Sequence, residues 1–160
     1  MTDKDRPIEV RKAQIEDLKR INELTDGMHN YLAGLYSLEL TQDELENEHF
    51  YEGELENVYV ALDSELGKIV GYMSFCHGRD EWAGHHYSLE HITVDEAYKG
   101  QGIGKKLFGI LAAKAEDEGA NLTVGTLERN KEALDFYSSL GFKPLSVRLL
   151  LDNQNRLFKE

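Results

Sequence analysis

Residues 89–107 carry the sequence LEHITVDEAYKGQGIGKKL, in which an apolar strand pattern leads into a glycine-rich turn and then a helix. The strand is predicted over residues 85–94, and the helix begins at Ile103 with an apolar stripe that continues through Leu107. Bare backbone N–H groups in such a turn, with the partial positive charge at a helix N-terminus, attract anions such as phosphate. The stretch therefore predicts a phosphate site built on three glycines: Gly100, Gly102 and Gly104.

Two lysines in the first turn of this helix leave a second interpretation open. Lys105 and Lys106 oppose the helix dipole by roughly a few tenths of a kcal/mol each, and a bound polyanion would reverse that cost. They also fit two ordinary solvent-exposed lysines on a helix whose glycines serve close packing. Two familiar nucleotide motifs are excluded. Lys105 stands where Gly-x-Gly-x-x-Gly needs its third glycine, and Lys106 stands where a Walker loop has Ser or Thr.

The rest of the chain alternates between helix and strand patterns and contains no internal repeat or linker. Helical spacing and capping residues predict further helices over residues 15–26, over residues 42–50, and between Asn130 and Gly141. Gly27 is expected to end the first of them. Runs rich in β-formers predict strands over residues 8–13, 57–63, 69–77, 85–94, 121–127 and 147–151. The length fits one domain over residues 1–160, of the α/β (mixed α+β) class, with helices packed on a mixed sheet.

Composition and charge argue against several classes of partner. The net charge is −12, from 30 acidic and 18 basic residues, and a nucleic-acid partner would require a basic surface instead. No run approaches the roughly 18 apolar residues of a membrane span, so no membrane partner is expected. The N-terminus lacks the apolar core of a signal peptide, and the single cysteine, Cys76, cannot form an internal disulfide. These features favour a cytoplasmic location.

Two sequence blocks resemble the GNAT superfamily of N-acetyltransferases. The first is KGQGIG at residues 99–104, in which Lys99 stands where the family usually has Arg or Gln. The second is NKEALDFYSSLGF at residues 130–142. The likeness extends over residues 71–142, about half of the chain. It implies a GNAT fold, with a central mixed sheet of six to seven strands flanked by about four helices.

Three shorter segments are most similar to the diamine and polyamine acetyltransferases within that superfamily. They are Gly-Tyr at residues 71–72, Trp-Ala-Gly at residues 82–84, and LEHITV at residues 89–94. His91 stands where those enzymes have Asp, which is the one departure in these segments.

The resemblance implies acetyl-CoA as co-substrate, direct transfer to an amine in a ternary complex, and no metal. Backbone groups would pair with the pantetheine amides, as an added strand does, at Ile92, Thr93 and Val94. The diphosphate would lie against Lys99, Gly100, Gln101, Gly102, Ile103, Gly104 and Lys105. The coenzyme arm would contact Asn130, Ala133 and Tyr137.

Attack of an amine on a thioester requires a proton acceptor near the amine and a donor near the departing sulfur. Alkyl ammonium groups have a pKa of about 10, so the amine must lose a proton at neutral pH. Glu90 is the candidate base, because it lies in an otherwise core-like strand where an unpaired carboxylate would be costly. It could instead pair with a cation or lie on an exposed face. Tyr137 is the candidate acid from its position in the family block, and the alternative is a core tyrosine on an amphipathic helix.

Four histidines lie within residues 77–91, yet they do not predict a metal site. His85 and His86 are neighbours in a strand and point to opposite faces, so they cannot bind one ion. His77 or His86 could line the acceptor pocket. Cys76 is expected to be a core thiol rather than a nucleophile.

Charge predicts the kind of acceptor. Residues 39–56 contain eight acids and no Lys or Arg, and in the family layout this region borders the acceptor pocket. It would attract a small cationic amine, either a diamine or polyamine or the side-chain amine of an amino acid. A solvated helix face explains the same charge.

Other readings of the chain stay open. Protein N-termini and other small amines are alternative acceptors. A catalytically silent protein that binds and senses coenzyme A is an alternative function. Members of the family often pair, so a homodimer is a further expectation, to which residues 147–151 could contribute.

Overall fold

A computed structural model describes residues 6–158, in which five strands form one sheet in the order β1-β2-β3-β4-β5. The strands are β1 (Ile8–Lys12), β2 (Val58–Asp63), β3 (Lys68–Asp80), β4 (Gly84–Val94) and β5 (Asn121–Val124). The first four are antiparallel neighbours, and β5 pairs in parallel with β4. The mixed α/β class is therefore confirmed.

Four α-helices lie within the described range: α1 (Leu18–Gly34), α2 (Gln42–Glu46), α3 (Ile103–Glu118) and α4 (Lys131–Ser139). Short 3-10 turns are found at Ile15–Asp17, Glu52–Asn57 and Glu96–Tyr98. The capping residues act as predicted. The Thr41 side chain accepts from the backbone N–H of Glu44, and the Asn130 side chain accepts from that of Ala133.

The sheet has a separate apolar core on each face. The apolar stripe of α3 packs one face through Leu107 and Leu111, both fully buried, against Met73 and Phe75 of β3. On the other face, residues of α1 pack against β2 and β3, with these members buried: Ile21, Leu24, Val58, Val60 and Tyr72. Any group between α1 and the sheet therefore lies on the opposite side from α3.

The expectation of six to seven strands is wrong for the described residues, because residues 147–151 form no strand. Their side chains are exposed, with Val147 at 85%, Leu149 at 88% and Leu151 at 84%. A β-rich run becomes a strand only where a neighbouring edge accepts its hydrogen bonds, and no described edge pairs with this one. Local sequence pattern does not carry that information.

Helix bounds also differ from the sequence expectation. Gly27 does not end α1, which starts at Leu18 and continues to Gly34. One glycine costs a helix about 1 kcal/mol, which burial of Ala33 and neighbouring packing offset. The second helix, expected to reach residue 50, ends at Glu46.

Strand bounds differ as well. β3 extends to Asp80, three residues beyond the predicted end. β5 stops at Val124, three residues before the predicted end.

Candidate active site

A β-bulge in β4 shapes the face that is covered by α1. Phe75 pairs with Leu89 and Ser74 pairs with His91, so Glu90 is an extra residue between them. Leu89 belongs to the core beneath α3, whereas the ring of His91 contacts Phe50 and Tyr72 on the α1 side. The bulge therefore turns two consecutive polar residues, Glu90 and His91, toward the same face.

Glu90 is exposed, so the argument that it is a buried carboxylate in a core-like strand is wrong. The bulge explains the error, because it breaks the alternation of inward and outward residues on which that argument relied. The exposed-face alternative is the one observed. The only described hydrogen bond to this carboxylate comes from the thiol of Cys76, with Sγ 3.0 Å from Oε1.

Cys76 is exposed on the same face, not a core thiol as expected. Its hydrogen bond to Glu90 is the largest cause, ahead of burial, that raises the pKa of the thiol to about 11. The thiol therefore stays protonated at neutral pH. This agrees with the prediction that Cys76 is not a nucleophile, since the thiolate is the reactive form.

The edge of β4 that faces away from β3 is open beyond Leu89. Pairing with β5 covers only His86 to Leu89, so within residues 6–158 no strand bonds to this edge at residues 90–94. Ile92 and Val94 turn their side chains into the α3 core. Unpaired backbone groups at the end of a strand can bind an extended amide-containing ligand, as was predicted for Ile92, Thr93 and Val94.

The glycine loop opens α3 without a capping side chain. Gly100 and Gly102 have φ angles of 80° and 79°, a region that favours glycine, and no atom lies within 4 Å of the Cβ that either would carry. Gly102 is the N-cap residue, and the first-turn N–H groups of Ile103, Gly104 and Lys105 lack intrahelical acceptors. The loop therefore presents bare N–H groups on an open surface, as an anion site requires.

Gly104 differs from the other two glycines because packing explains it. A Cβ at this position would lie 3.3 Å from Cζ of Phe136 on α4. The loop and α4 are also joined by an ion pair between Lys99 and Glu132 at 3.3 Å. The glycines therefore have two structural roles: Gly100 and Gly102 permit the loop conformation, and Gly104 permits close contact between helices.

The lysines near the loop have different partners. Lys99 pairs with Glu96 at 3.1 Å as well as with Glu132, and these bonds raise the pKa of its ammonium although partial burial acts to lower it. Lys106 donates to the backbone carbonyl of Ile8 on β1. In the described part of the chain, Lys105 is exposed and makes no ion pair, so its charge is available beside the loop.

Two carboxylates bind the residues that lead into the glycine loop. Asp95, directly after β4, binds Arg20 of α1 at 2.5 Å and accepts the N–H of Ala97 at 3.0 Å. The hydroxyl of buried Tyr98 donates to Oδ2 of Asp63, which is fully buried at the end of β2, at 2.7 Å. The residues directly before the glycine loop are thus held in place by these contacts.

A cleft of about 220 Å³ lies between α1 and the end of β4, next to Asp95. Its lining includes Arg20, Leu24, Met28, Tyr31, Val94 and Lys99. The cleft, the open edge of β4 and the glycine loop are therefore neighbours.

Tyr137 lies on α4 with its ring packed on Phe136 and Phe142. Burial raises the pKa of its hydroxyl to about 12, and that hydroxyl has no hydrogen-bond partner within residues 6–158. Asn130 and Ala133, joined by the N-cap bond, lie one to two turns earlier on the same helix.

Sequence reasoning missed a polar cluster that α1 and the segment after α2 bring to the His91 side of the sheet. His49 Nε2 lies 2.7 Å from Asp26, and His29 Nε2 lies 3.8 Å from Glu48. The ring of His29 meets that of His91 edge-on at 5.8 Å. The spacing of Thr25 and His29 on one helix face was the available signal, but their contact with β4 is long-range.

The remaining histidines do not fit the predicted role in the acceptor pocket. The ring of His77 contacts those of His85 and Tyr87 in tilted and edge-on arrangements, on the side of the sheet opposite Glu90. His86 is buried and binds the carbonyl of Gly84 at the tip of the β3–β4 hairpin. Across residues 6–158 no group of three His, Cys, Asp or Glu side chains could hold a metal ion, and no helix is long and apolar enough to cross a membrane.

The sequence is similar to those of known N-acetyltransferases and N-acyltransferases. Over 79 residues the chain is 38% identical to the thialysine N-epsilon-acetyltransferase of Bos taurus, covering 49% of this chain and 46% of that enzyme. The chain thus spans about half the length of the thialysine N-epsilon-acetyltransferases that it matches. The L-amino acid N-acyltransferase MnaT of Escherichia coli (strain K12) is 28% identical over 135 residues, 83% of this chain and 78% of that protein.

Solved structures of other proteins share this fold. The crystal structure of an acetyltransferase from Trypanosoma brucei superposes with a TM-score of 0.64 at 24% identity, covering 91% of this chain and 99% of the other. The sequence pattern that defines the Acetyltransferase (GNAT) family matches residues 20–142. The chain belongs to the acetyltransferase (GNAT) family.

Proposed function

We propose that the protein transfers an acetyl group from acetyl-CoA to a primary amine, by direct attack in a ternary complex. The observation that carries this proposal is the uncapped start of α3, where Gly102 holds a positive φ and the first-turn N–H groups are free for an anion. Membership of the acetyltransferase (GNAT) family supports the reaction type.

The surrounding residues fit the proposed coenzyme. The loop from Lys99 to Lys105 would hold the diphosphate, with the charge of Lys105 adding to the helix N-terminus. The open edge of β4 at Ile92, Thr93 and Val94 would bond the pantetheine amides. α4 would line the same channel through Asn130, Ala133 and Tyr137, since Gly104 packs directly on Phe136.

Two groups have proposed roles in the chemistry. Glu90, exposed at the bulge, would attract the acceptor ammonium and take its proton, directly or through a water. Tyr137 would donate a hydrogen bond to the departing thiolate. Because the pKa of its hydroxyl is about 12 and a thiol has a pKa of about 8.5, stabilising the thiolate by this bond is more favourable than complete proton transfer.

The acceptor proposed for this site is a small cationic amine, either an amino-acid side-chain amine or a diamine. Carboxylates face the polar cluster from several elements: Asp26 on α1, Glu48 after α2 and Glu90 on β4. Most of the acids in residues 39–56 are exposed, and Glu44 is bound to Arg156 and to the Thr41 cap. The relatives that acetylate thialysine and L-amino acids support this class of acceptor.

A panel of amines with coenzyme release as the readout tests the function and the acceptor together. We expect 1,4-diaminobutane or L-lysine to exceed 1-aminobutane in kcat/KM by about tenfold, the effect of about 1.4 kcal/mol of charge attraction. The advantage should shrink as salt is added. Glu48→Gln should reduce it, whereas Glu52→Gln, at another exposed position, should not.

The outcomes of the panel separate the alternatives. Turnover restricted to neutral or acidic amines would overturn the cationic acceptor. Turnover restricted to peptide N-termini would redirect the proposal to a protein substrate. Binding of acetyl-CoA without turnover of any amine would identify a silent coenzyme sensor.

A homodimer is also proposed, with the exposed apolar segment after α4 as its contact surface. Five large apolar side chains are exposed there: Leu145, Val147, Leu149, Leu150 and Leu151. Several exposed large apolar side chains in one segment are typical of a protein interface. Sedimentation equilibrium should give the dimer mass, and a monomer mass at tens of micromolar protein would contradict this part of the proposal.

A further inference from the structure

A chain of hydrogen bonds runs from α1 to the bulge of β4, and its proton directions can be assigned. The hydroxyl of Thr25 lies 2.8 Å from the carbonyl of Ile21, which can only accept, so Thr25 donates there. Its one proton is then used, and the hydroxyl of Tyr72, 2.7 Å away, must donate to Thr25. Both hydroxyls are buried, which keeps this arrangement dry and fixed.

The same reasoning sets the tautomer of His91. The Tyr72 oxygen has already given its proton to Thr25, so it accepts from Nδ1–H of His91 at 3.3 Å. Burial raises the pKa of the Tyr72 hydroxyl above its ordinary value, which keeps it in the donating form. Neutral His91 therefore carries its proton on Nδ1, and Nε2, on the other side of the ring, has a free lone pair.

Titratable and charged groups surround this ring on three elements. His29 of α1 meets it edge-on, Glu48 follows α2, and Glu90 is its neighbour on β4. Burial, and next the charge of His29, lower the pKa of His91, while the two carboxylates act in the opposite direction. The imidazole is consequently neutral at pH 7.

A buried serine hydroxyl beside His91 is a second observation that favours a polar ligand at this place. Ser74, the cross-strand partner of His91, has a side-chain oxygen that is buried and has no hydrogen-bond partner among the described residues. An unsatisfied buried hydroxyl is rare in folded proteins and is explained by a bound water or another polar group beside it. The sheet surface beside His91 thus has an unused hydrogen-bonding position.

We infer that His91 is the residue on which the acceptor amine leaves its proton, and that Thr25 and Tyr72 position its Nε2 for this role. The inference rests on the proposed function. An ammonium N–H bond breaks and an Nε2–H bond forms, with Glu90 attracting the ammonium and passing on the proton. The neutral amine then attacks the thioester.

His91 must return to its neutral form before the next turnover. His29 lies against its ring and binds the carbonyl of Thr25 through Nδ1 at 3.1 Å, so Nε2 of His29 is directed at Glu48. The Glu48 side chain is 55% exposed. Both ring nitrogens of His29 are thus directed away from His91, so the proton leaves Nε2 of the half-buried His91 directly to solvent once the products depart.

The test compares His91→Gln with wild type across pH, using the best amine of the panel. A neutral base is required, so wild-type kcat/KM should rise with pH through a pKa below the ordinary value of about 6.5. In His91→Gln this rise of kcat/KM with pH should be absent, and kcat should be about 100-fold lower than in wild type at pH 7. The difference in kcat should become smaller near pH 10, where the amine loses its proton in solution. Added imidazole should restore part of the rate, which a purely structural defect would not allow.

Two further variants keep the test sound. Tyr72→Phe removes only the hydroxyl that orients the ring, so it should lower kcat with KM unchanged. His77→Gln, on the other face of the sheet, should match wild type. Nitrogen NMR of the histidines should show the Nδ1–H tautomer at His91 in wild type and its loss in Tyr72→Phe, whether or not the enzyme turns over.

Each outcome has a distinct meaning. An active wild type whose pH profile is unchanged in His91→Gln would overturn this inference alone, as would an Nε2–H tautomer at His91. A wild type that turns over no amine would overturn the proposed function instead.

Discussion

Gly102→Ala should weaken acetyl-CoA binding about 100-fold, a loss of about 2.7 kcal/mol. Gly102 has a φ of 79°, and an alanine there pays roughly 1–2 kcal/mol unless the backbone rotates away. Rotation would turn the N–H groups of Ile103 and Gly104 from the anion, and each charge-assisted bond contributes about 1.5–3 kcal/mol. Isothermal titration calorimetry measures the change.

Gly67→Ala is a matched control for this prediction. Gly67 lies in the β2–β3 turn with a φ of 63°, and, like Gly102, it has no atom within 4 Å of the missing Cβ. The two variants should lose similar stability in thermal denaturation, but only Gly102→Ala should lose affinity. Equal affinities in both variants would show that the loop does not hold the coenzyme.

Tyr137→Phe should lower kcat about 100-fold or more, within the range of a lost hydrogen-bond donor to developing negative charge, and leave the Kd for acetyl-CoA within about twofold. The ring of Tyr137 packs on Phe136 and Phe142, and phenylalanine preserves these contacts, so only the hydroxyl is removed. Rapid-quench single-turnover kinetics isolates the chemical step from product release.

The pH dependence of this effect has a definite sign. Burial raises the pKa of the Tyr137 hydroxyl to about 12, so the donating form is present below that pH and is lost only as pH rises through it. No alkaline limb due to Tyr137 should therefore be seen below about pH 11. Tyr51→Phe, at an exposed position outside the helices and strands, should behave as wild type. Full activity in Tyr137→Phe would restore the interpretation of a core tyrosine.

The part of the fold that local sequence controls was predictable. Asn130 and Thr41 cap their helices as expected, and the turn at Gly100 and Gly102 opens α3 where the pattern placed it. In each case the causes lie within a few residues: a side-chain acceptor at an N-cap, or a glycine that tolerates positive φ.

What failed depends on contacts between distant residues. Residues 147–151 have a strand pattern but no edge to pair with, so they form no strand in the described range. Glu90 is exposed because a bulge interrupts the alternation of β4, and the alternation rule cannot foresee one extra residue. The rings that contact His91 from α1 and from the segment after α2 lie more than 40 residues away in sequence, and its hydrogen bond to Tyr72 joins two strands, so the hydrogen-bond chain was visible only in three dimensions.

The candidate site likewise has parts that local sequence could predict and parts that depend on distant contacts. The loop residues and α4 were predicted as site residues from their motifs, and the structure explains Gly104 by its contact with Phe136. The reason for choosing Glu90 was wrong although its carboxylate faces the α1 side of the sheet. The cluster of His29, Glu48 and Tyr72 had no motif, because its function would follow from burial and relative position.

The central claim is that the free N–H groups at the N-terminus of α3 bind the diphosphate of coenzyme A. Calorimetric titration of the wild-type protein tests this claim most directly. Acetyl-CoA should bind saturably and, at 100 times its Kd, stabilise the fold by about 2.7 kcal/mol, whereas acetyl-pantetheine, which lacks the diphosphate, should bind at least about 100-fold more weakly. No heat and no stabilisation with millimolar acetyl-CoA, or equal affinity for both ligands, would contradict it.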